Sequence, residues 1–193
     1  MRLAILDSGH SLGTKALFAL IAAVSRQPVL DIIKLVKYRA DFFGKPMGAV
    51  THEAMRGPSA WSIADRELMA AVVAQTNECA FCCESHAAVS RAAAGDGARV
   101  SAVLADLDAA HIDDRLRVTL RMLRRLARER TLGEADLRAV LNAGVTRAQI
   151  EDALAVSFAF NTVTRLAETF DFAMPGDDAM KAGAKFLLAR GYR

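Results

Sequence analysis

Ser62 to Gly95 constrains the fold more than any other stretch. It holds two alanine-rich runs that read as helices, Ser62 to Gln75 and about Glu78 to Ala94, interrupted only at Thr76-Asn77. Ser62 suits a helix cap, Asp65 and Arg66 fall in the first turn that follows, and Gly95 suits a helix stop. So short a break predicts an antiparallel helix pair. Glu67 then lies ten residues before Asn77 and His86 nine residues after it. At a rise of about 1.5 Å per residue, both sit roughly 15 Å from the turn, on one level of the pair.

The rest of the chain predicts an all-α fold, with no strand pattern, linker or low-complexity segment. Ala and Leu dominate, 53% of residues are apolar, and four prolines interrupt 193 residues. That length suits one substantial core. Helices are expected over 11–25, from Pro28 to about Arg39, and from beyond a Phe42–Pro46 turn to about Met55. A short helix and loop should occupy 96–110. Further helices are expected over 113–130, 134–142 and 179–190. Thr146 and Gln149 form a capping-box pattern that opens a long helix towards Phe172, with a division near Asn161.

Charge and hydropathy narrow the function. A net charge of +3 is too small to imply a nucleic-acid partner. The apolar run Ala16–Val24 is too short for a bilayer, which takes about 20 residues. Asp7 and His10 interrupt any signal-like core. These features predict a soluble, cytoplasmic protein with no membrane partner. The arginines at 117, 121, 124 and 128 run beside an apolar stripe and read as a solvated or subunit-facing side. Trp61 reads as a core or interface anchor. Surface or capping positions are expected for His10, His52 and His111. Asn161 reads as a helix break or a buried polar contact.

The helix pair carries chemistry. Cys79, Cys82 and His86 have the spacing C-x2-C-x3-H, which places them along one helix face. Two thiols close enough to join, with an imidazole a turn away, predict a redox centre. Glu67 is placed to fix the imidazole and take up its proton. A peroxide would oxidise one cysteine to a sulfenic acid, and the other would condense with it to a disulfide and water. The helix dipole favours Cys79 as the thiolate, whereas the histidine favours Cys82. The direct proton path makes Cys82 the preferred attacking sulfur. Zinc is the rival, with Glu67 or Cys83 as a fourth ligand, but the second distant ligand pair usual in structural sites is absent. The expected site therefore holds no metal and needs no cofactor. Cys83 points about 100° from Cys82 and reads as buried packing, as does Phe81.

Glu67, followed after eleven residues by Cys79, Cys82 and His86, resembles the alkylhydroperoxidase D-like branch of the carboxymuconolactone decarboxylase superfamily. The text from Arg66 to Arg91 is similar to that family's central helix pair, and Phe160–Phe170 to its closing helix. The likeness spans about 42–172 of a single domain over 1–193, with extra N-terminal helices over 1–41. It implies an all-α homo-oligomer, a trimer or hexamer. The activity it implies is that of a thiol-dependent peroxidase or disulfide oxidoreductase acting on alkyl hydroperoxides. A dithiol, of lipoyl type in the best-known members, would be the reductant. Cys82 would attack the peroxide, Cys79 resolve, and Glu67 with His86 relay the proton. Phe81 stands where the best-known peroxidase has a second histidine, and Cys83 is an addition. Decarboxylase members lack the cysteine pair, so lactone decarboxylation is not expected. Two alternatives stay open: redox sensing or disulfide exchange without efficient peroxide turnover, and a metal-stabilised, non-catalytic helical module.

Overall fold

Every residue from Arg66 to Ala74 is buried, which makes the helix that carries them, α5 (Ile63–Thr76), the axis of the fold. The computed structural model describes residues 1–192. Eleven α-helices and one π-helical turn make up the regular structure of those residues, with no strand among them. Preceding the axis are α1 (Ile5–Ser8), α2 (Leu12–Ser25), α3 (Asp31–Tyr38), the π-turn Ala40–Gly44 and α4 (Lys45–Arg56). Following it are α6 (Ala80–Ala94), α7 (Gly97–Ala105), α8 (Asp114–Glu129), α9 (Glu134–Asn142), α10 (Arg147–Phe170) and α11 (Asp177–Arg190).

The alanines of α5 let its neighbours approach closely. α6 packs along it most extensively, and α10, α8 and α4 close the other sides. Leu68, Met69 and Val73 meet Leu116, Leu120 and Leu123 of α8, and Val156 and Phe160 of α10, in the larger core cluster. Trp61 anchors the entry to α5, its indole Nε1 donating to the Gln149 carbonyl at 2.9 Å. The caps expected at Ser62 and Thr146 form, and Ser11 caps α2.

A second, smaller cluster surrounds the cysteines. Leu6 of α1, Leu35 of α3, Phe81 and Phe172 pack there against Cys79, Cys82 and Cys83. The segments before residue 42 therefore help wall the thiols. They are tied down by Arg2 N–H donating to Phe170 O at 2.7 Å and by Ala173 N–H donating to the buried carboxylate of Asp31 at 2.9 Å.

Several local expectations are corrected. The second helix starts at Asp31 rather than Pro28, because Leu30 is extended and acts as its cap position. The Phe42–Pro46 turn is instead a π-turn running directly into α4, closed by Gly44 N–H donating to Arg39 O at 2.9 Å. The long helix α10 is undivided. Asn161 stays helical and donates to Ser157 O at 2.9 Å, while its side-chain oxygen accepts from Asn77 at 3.0 Å. That bond ties the α5–α6 turn to α10. His10 is buried rather than surface-placed, with Nε2 2.8 Å from Leu6 O and its ring against Phe18 and Tyr38.

Glycine sets the π-turn. A Cβ on Gly44 would strike the Val36 carbonyl, a backbone group with no rotamer to yield, whereas one on Gly13 in α2 would meet nothing. Gly44→Ala should destabilise the protein by about 2 kcal/mol or more. Gly13→Ala should be neutral or stabilising by about 0.5–1 kcal/mol. Equilibrium urea unfolding of the two variants checks both; equal midpoints would contradict the packing assigned to Gly44.

Candidate active site

The antiparallel pair brings together the two residues that sequence spacing put on one level. Glu67 of α5 is fully buried, and its Oε2 lies 2.7 Å from His86 Nδ1 of α6. Nδ1 donates to the carboxylate, so the basic lone pair of a neutral His86 is on Nε2. Phe160 packs edge-on against the imidazole, with ring centroids 4.2 Å apart.

Two further partners hold the carboxylate. Arg56 of α4 donates through Nη2 to Oε1 at 2.7 Å, and also reaches the Met55 and Leu187 carbonyls. The Tyr192 hydroxyl donates to Oε1 at 2.8 Å and to Oε2 at 3.1 Å, and lies 3.3 Å from His86 Nδ1. Burial on its own would raise the proton affinity of Glu67. The hydrogen bond and charge of His86, then those of Arg56, outweigh it and hold the carboxyl below its ordinary range. Burial first, and Glu67's charge second, keep the Tyr192 phenol protonated well above its ordinary value.

The cysteines sit towards the turn of the hairpin, Cys82 four residues before His86 on α6, and all three are reduced and buried. α6 begins at Ala80 rather than Glu78. Glu78 takes the left-handed conformation at φ 59°, Cys79 N–H donates to Ala74 O at 3.0 Å, and Cys79 becomes the cap residue of α6. This placement decides the electrostatics. The Cys82 thiol, and after it the Cys82 backbone N–H, stabilise a Cys79 thiolate against the cost of burial, so the Cys79 value falls below the ordinary one. Cys82 is driven far up by its hydrogen bond to Cys79, by burial and by the Cys79 charge. The reduced pair therefore favours a thiolate on Cys79 and a thiol on Cys82, the order that the helix dipole favours and the histidine argument does not. Cys83 is pushed up to about 11, chiefly by burial, in keeping with a packing role.

The hydrogen bonds of His86 run to Glu67 and Tyr192, and among the described residues none joins it to a sulfur. Nor do three His, Cys, Asp or Glu side chains converge, among those residues, in a way that could hold a metal ion. Sequence reasoning missed Arg56 and Tyr192. Arg56 lies near a helix end with no motif around it, and Tyr192 follows α11 across 125 residues of separation from Glu67. Neither has a local signal. His52, expected as a surface or capping residue, accepts the Tyr192 amide at Nδ1, 3.2 Å away.

Residues 43–125 match the family described as the carboxymuconolactone decarboxylase family. Among solved structures, the chain is similar to an uncharacterized peroxidase-related protein from Silicibacter sp. TM1040, with 25% identity over 86% of each chain and a TM-score of 0.73. It also shares its fold with an alkylhydroperoxidase AhpD core, an uncharacterized peroxidase-related protein from Ralstonia eutropha JMP134, at 20% identity over 92% of each chain and a TM-score of 0.73. No curated protein matches the chain.

The buried carboxylate makes a prediction about acid. Replacing Glu67 by Gln leaves Arg56 without its countercharge and should cost about 3–5 kcal/mol. Because the folded carboxyl lies below its ordinary value of 4.5, its stabilisation is complete above that pH and is lost as pH falls through the folded value. The gap in urea midpoint between wild type and Glu67→Gln should be widest above pH 4.5 and close on acidification. A gap that does not depend on pH would contradict the ionised assignment.

Proposed function

We propose that the chain, whose residues 43–125 match the carboxymuconolactone decarboxylase family and whose fold is similar to that of peroxidase-related proteins, is a thiol-dependent peroxidase of the alkylhydroperoxidase D-like kind working through Cys79, Cys82, Glu67 and His86. The observation that carries this reading is the 2.7 Å bond from His86 to a fully buried carboxylate on the helix pair that bears two reduced thiols. A histidine oriented in this way can take a thiol proton and return it to a leaving oxygen.

In the forward reaction Cys82 loses its proton towards His86 Nε2, with the hydroperoxide bridging the two. The thiolate sulfur attacks the distal peroxide oxygen and the O–O bond breaks. The departing alkoxide takes the proton from His86 and leaves as an alcohol, with Cys82 as a sulfenic acid. Cys79 then gives its proton to the relay and attacks that sulfur, the S–O bond breaks, and the hydroxide leaves as water with that proton. The pair is now a disulfide. A separate dithiol, of lipoyl type or similar, restores it and is itself oxidised. The balance is one hydroperoxide and one dithiol consumed, with one alcohol, one water and one disulfide formed.

The stabilised thiolate on Cys79 supports a second reading of the order, in which Cys79 attacks and Cys82 resolves. The atom balance is unchanged.

The walls of the cysteine cluster suit an apolar hydroperoxide, since Leu6, Leu35, Phe81 and Phe172 surround the sulfurs. Among the described residues no helix is long and apolar enough to cross a membrane. A reducing cytoplasm is the setting in which such a pair works, with the thiols kept ready between turnovers. Association into a homo-oligomer, a trimer or hexamer, is supported by α2, which buries none of its residues and exposes Leu12, Leu20 and Val24.

Alkylation mapping tests the chemistry. One equivalent of peroxide should protect Cys79 and Cys82 together, and a dithiol should reverse the protection. Retained alkylation of both would remove the redox assignment. Single variants fix the order: trapping with a sulfenic-acid reagent should label Cys82 in Cys79→Ser if Cys82 attacks, and Cys79 in Cys82→Ser if the order is reversed. Peroxide turnover should fall below about a hundredth of wild type in either variant.

A further inference from the structure

Gly191 and Tyr192, which follow α11, are built into the relay by several independent contacts. Gly191 has φ +68°, and a Cβ there would fall 2.7 Å from the His52 ring and 3.2 Å from Arg56 Cγ. Tyr192 N–H donates to His52 Nδ1 at 3.2 Å. The guanidinium of Arg56 lies 5.1 Å from the centre of the Tyr192 ring, and Arg56 also donates to Leu187 O at 3.1 Å. Even the main chain is closely fitted, since a Cβ on Gly48 of α4 would stand 3.2 Å from Tyr192 O. All of this places one hydroxyl against both oxygens of Glu67, beside His86.

We propose that Tyr192 is a positioning residue of the relay, held by the Gly191–Tyr192 strap on α4 and setting how strongly the Glu67–His86 pair binds a proton. The inference rests on the peroxidase reading for its purpose, though not for its geometry. A carboxylate that already accepts from a phenol and a guanidinium has less charge to offer an imidazolium. The charged and titratable groups facing it are Arg56 from α4, His86 from α6, Tyr192 itself and, next in sequence, Arg66. Of these, the phenol is the one donor removable without changing net charge. Without it, Glu67 supports the protonated imidazole more strongly, and thiol protons pass to the relay at lower pH.

The test is the pH dependence of iodoacetamide alkylation at Cys79 and Cys82, followed by peptide mapping in wild type, Tyr192→Phe, Glu67→Gln and the double variant. Tyr192→Phe should move the midpoint acidward by about half a unit to one unit in the wild-type background. It should have no effect in the Glu67→Gln background. Gly191→Ala keeps the phenol but displaces the strap, and should reproduce the Tyr192→Phe shift; this arm does not depend on Glu67→Gln folding. An unmoved midpoint in Tyr192→Phe, an equal shift in both backgrounds, or a wild-type profile in Gly191→Ala overturns the proposal. Alkylation needs no peroxide, so failure of the peroxidase reading appears separately, as wild-type protein that consumes no hydroperoxide.

Discussion

A single buried carboxylate governs the arrangement. Glu67 sits at the centre of the most enclosed helix, where an unpaired charge would be intolerable. Its partners come from three directions: Arg56 from α4, His86 from α6 and Tyr192 from beyond α11. Together they hold the ion, with His86 and Arg56 supplying the countercharge. The packing of α4 and α6 on α5, and of α11 on α6, is therefore tied to electrostatics as well as to apolar contact. The same constraint fixes the imidazole, because a carboxylate at Nδ1 leaves Nε2 as the basic atom.

The thiol end follows a different rule. Its surroundings are largely apolar, and the polar influences on the sulfurs are the start of α6 and the Glu168 carboxylate of α10. Glu78 turns the chain so that Cys79 leaves the helical path and receives the helix end, while Cys82 remains inside the first turn. Two sulfurs three residues apart are thereby made chemically unequal, one favoured as an anion and one held as a thiol. The hairpin joins this asymmetric pair to the relay, with Asn77 bonded to Asn161 and Thr164 of α10 to steady the turn between them.

Much of this was legible in the sequence because it is local. Helix caps at Ser11, Ser62 and Thr146 announce themselves in a few residues, and the Glu67–His86 pairing needs only helical rise and one short turn. Trp61 likewise serves as the core anchor its position suggested. What was hidden is what depends on distant chain. Nothing near Tyr192 shows that it reaches Glu67, and nothing near Arg56 shows that it faces inward. The left-handed Glu78 was also unreadable, because the composition of Asn77-Glu78-Cys79 permits a continuing helix. Asn161 shows why a polar residue in an apolar run is ambiguous: its amide satisfies itself within α10 and reaches Asn77, so no break is needed.

The separation of 125 residues from Glu67 to Tyr192 also has a meaning in time. On a ribosome adding about 5–20 residues per second, the carboxylate is made roughly 6–25 s before the phenol that will meet it. Once His86 has followed, 19 residues after Glu67, the hairpin can form with Arg56 and His86 but without the strap. The nascent protein thus passes through a stage with the helix pair present and the carboxylate still uncovered. Closure of the site is a late event of biosynthesis, separated from the formation of the fold's central helices by more than half the chain.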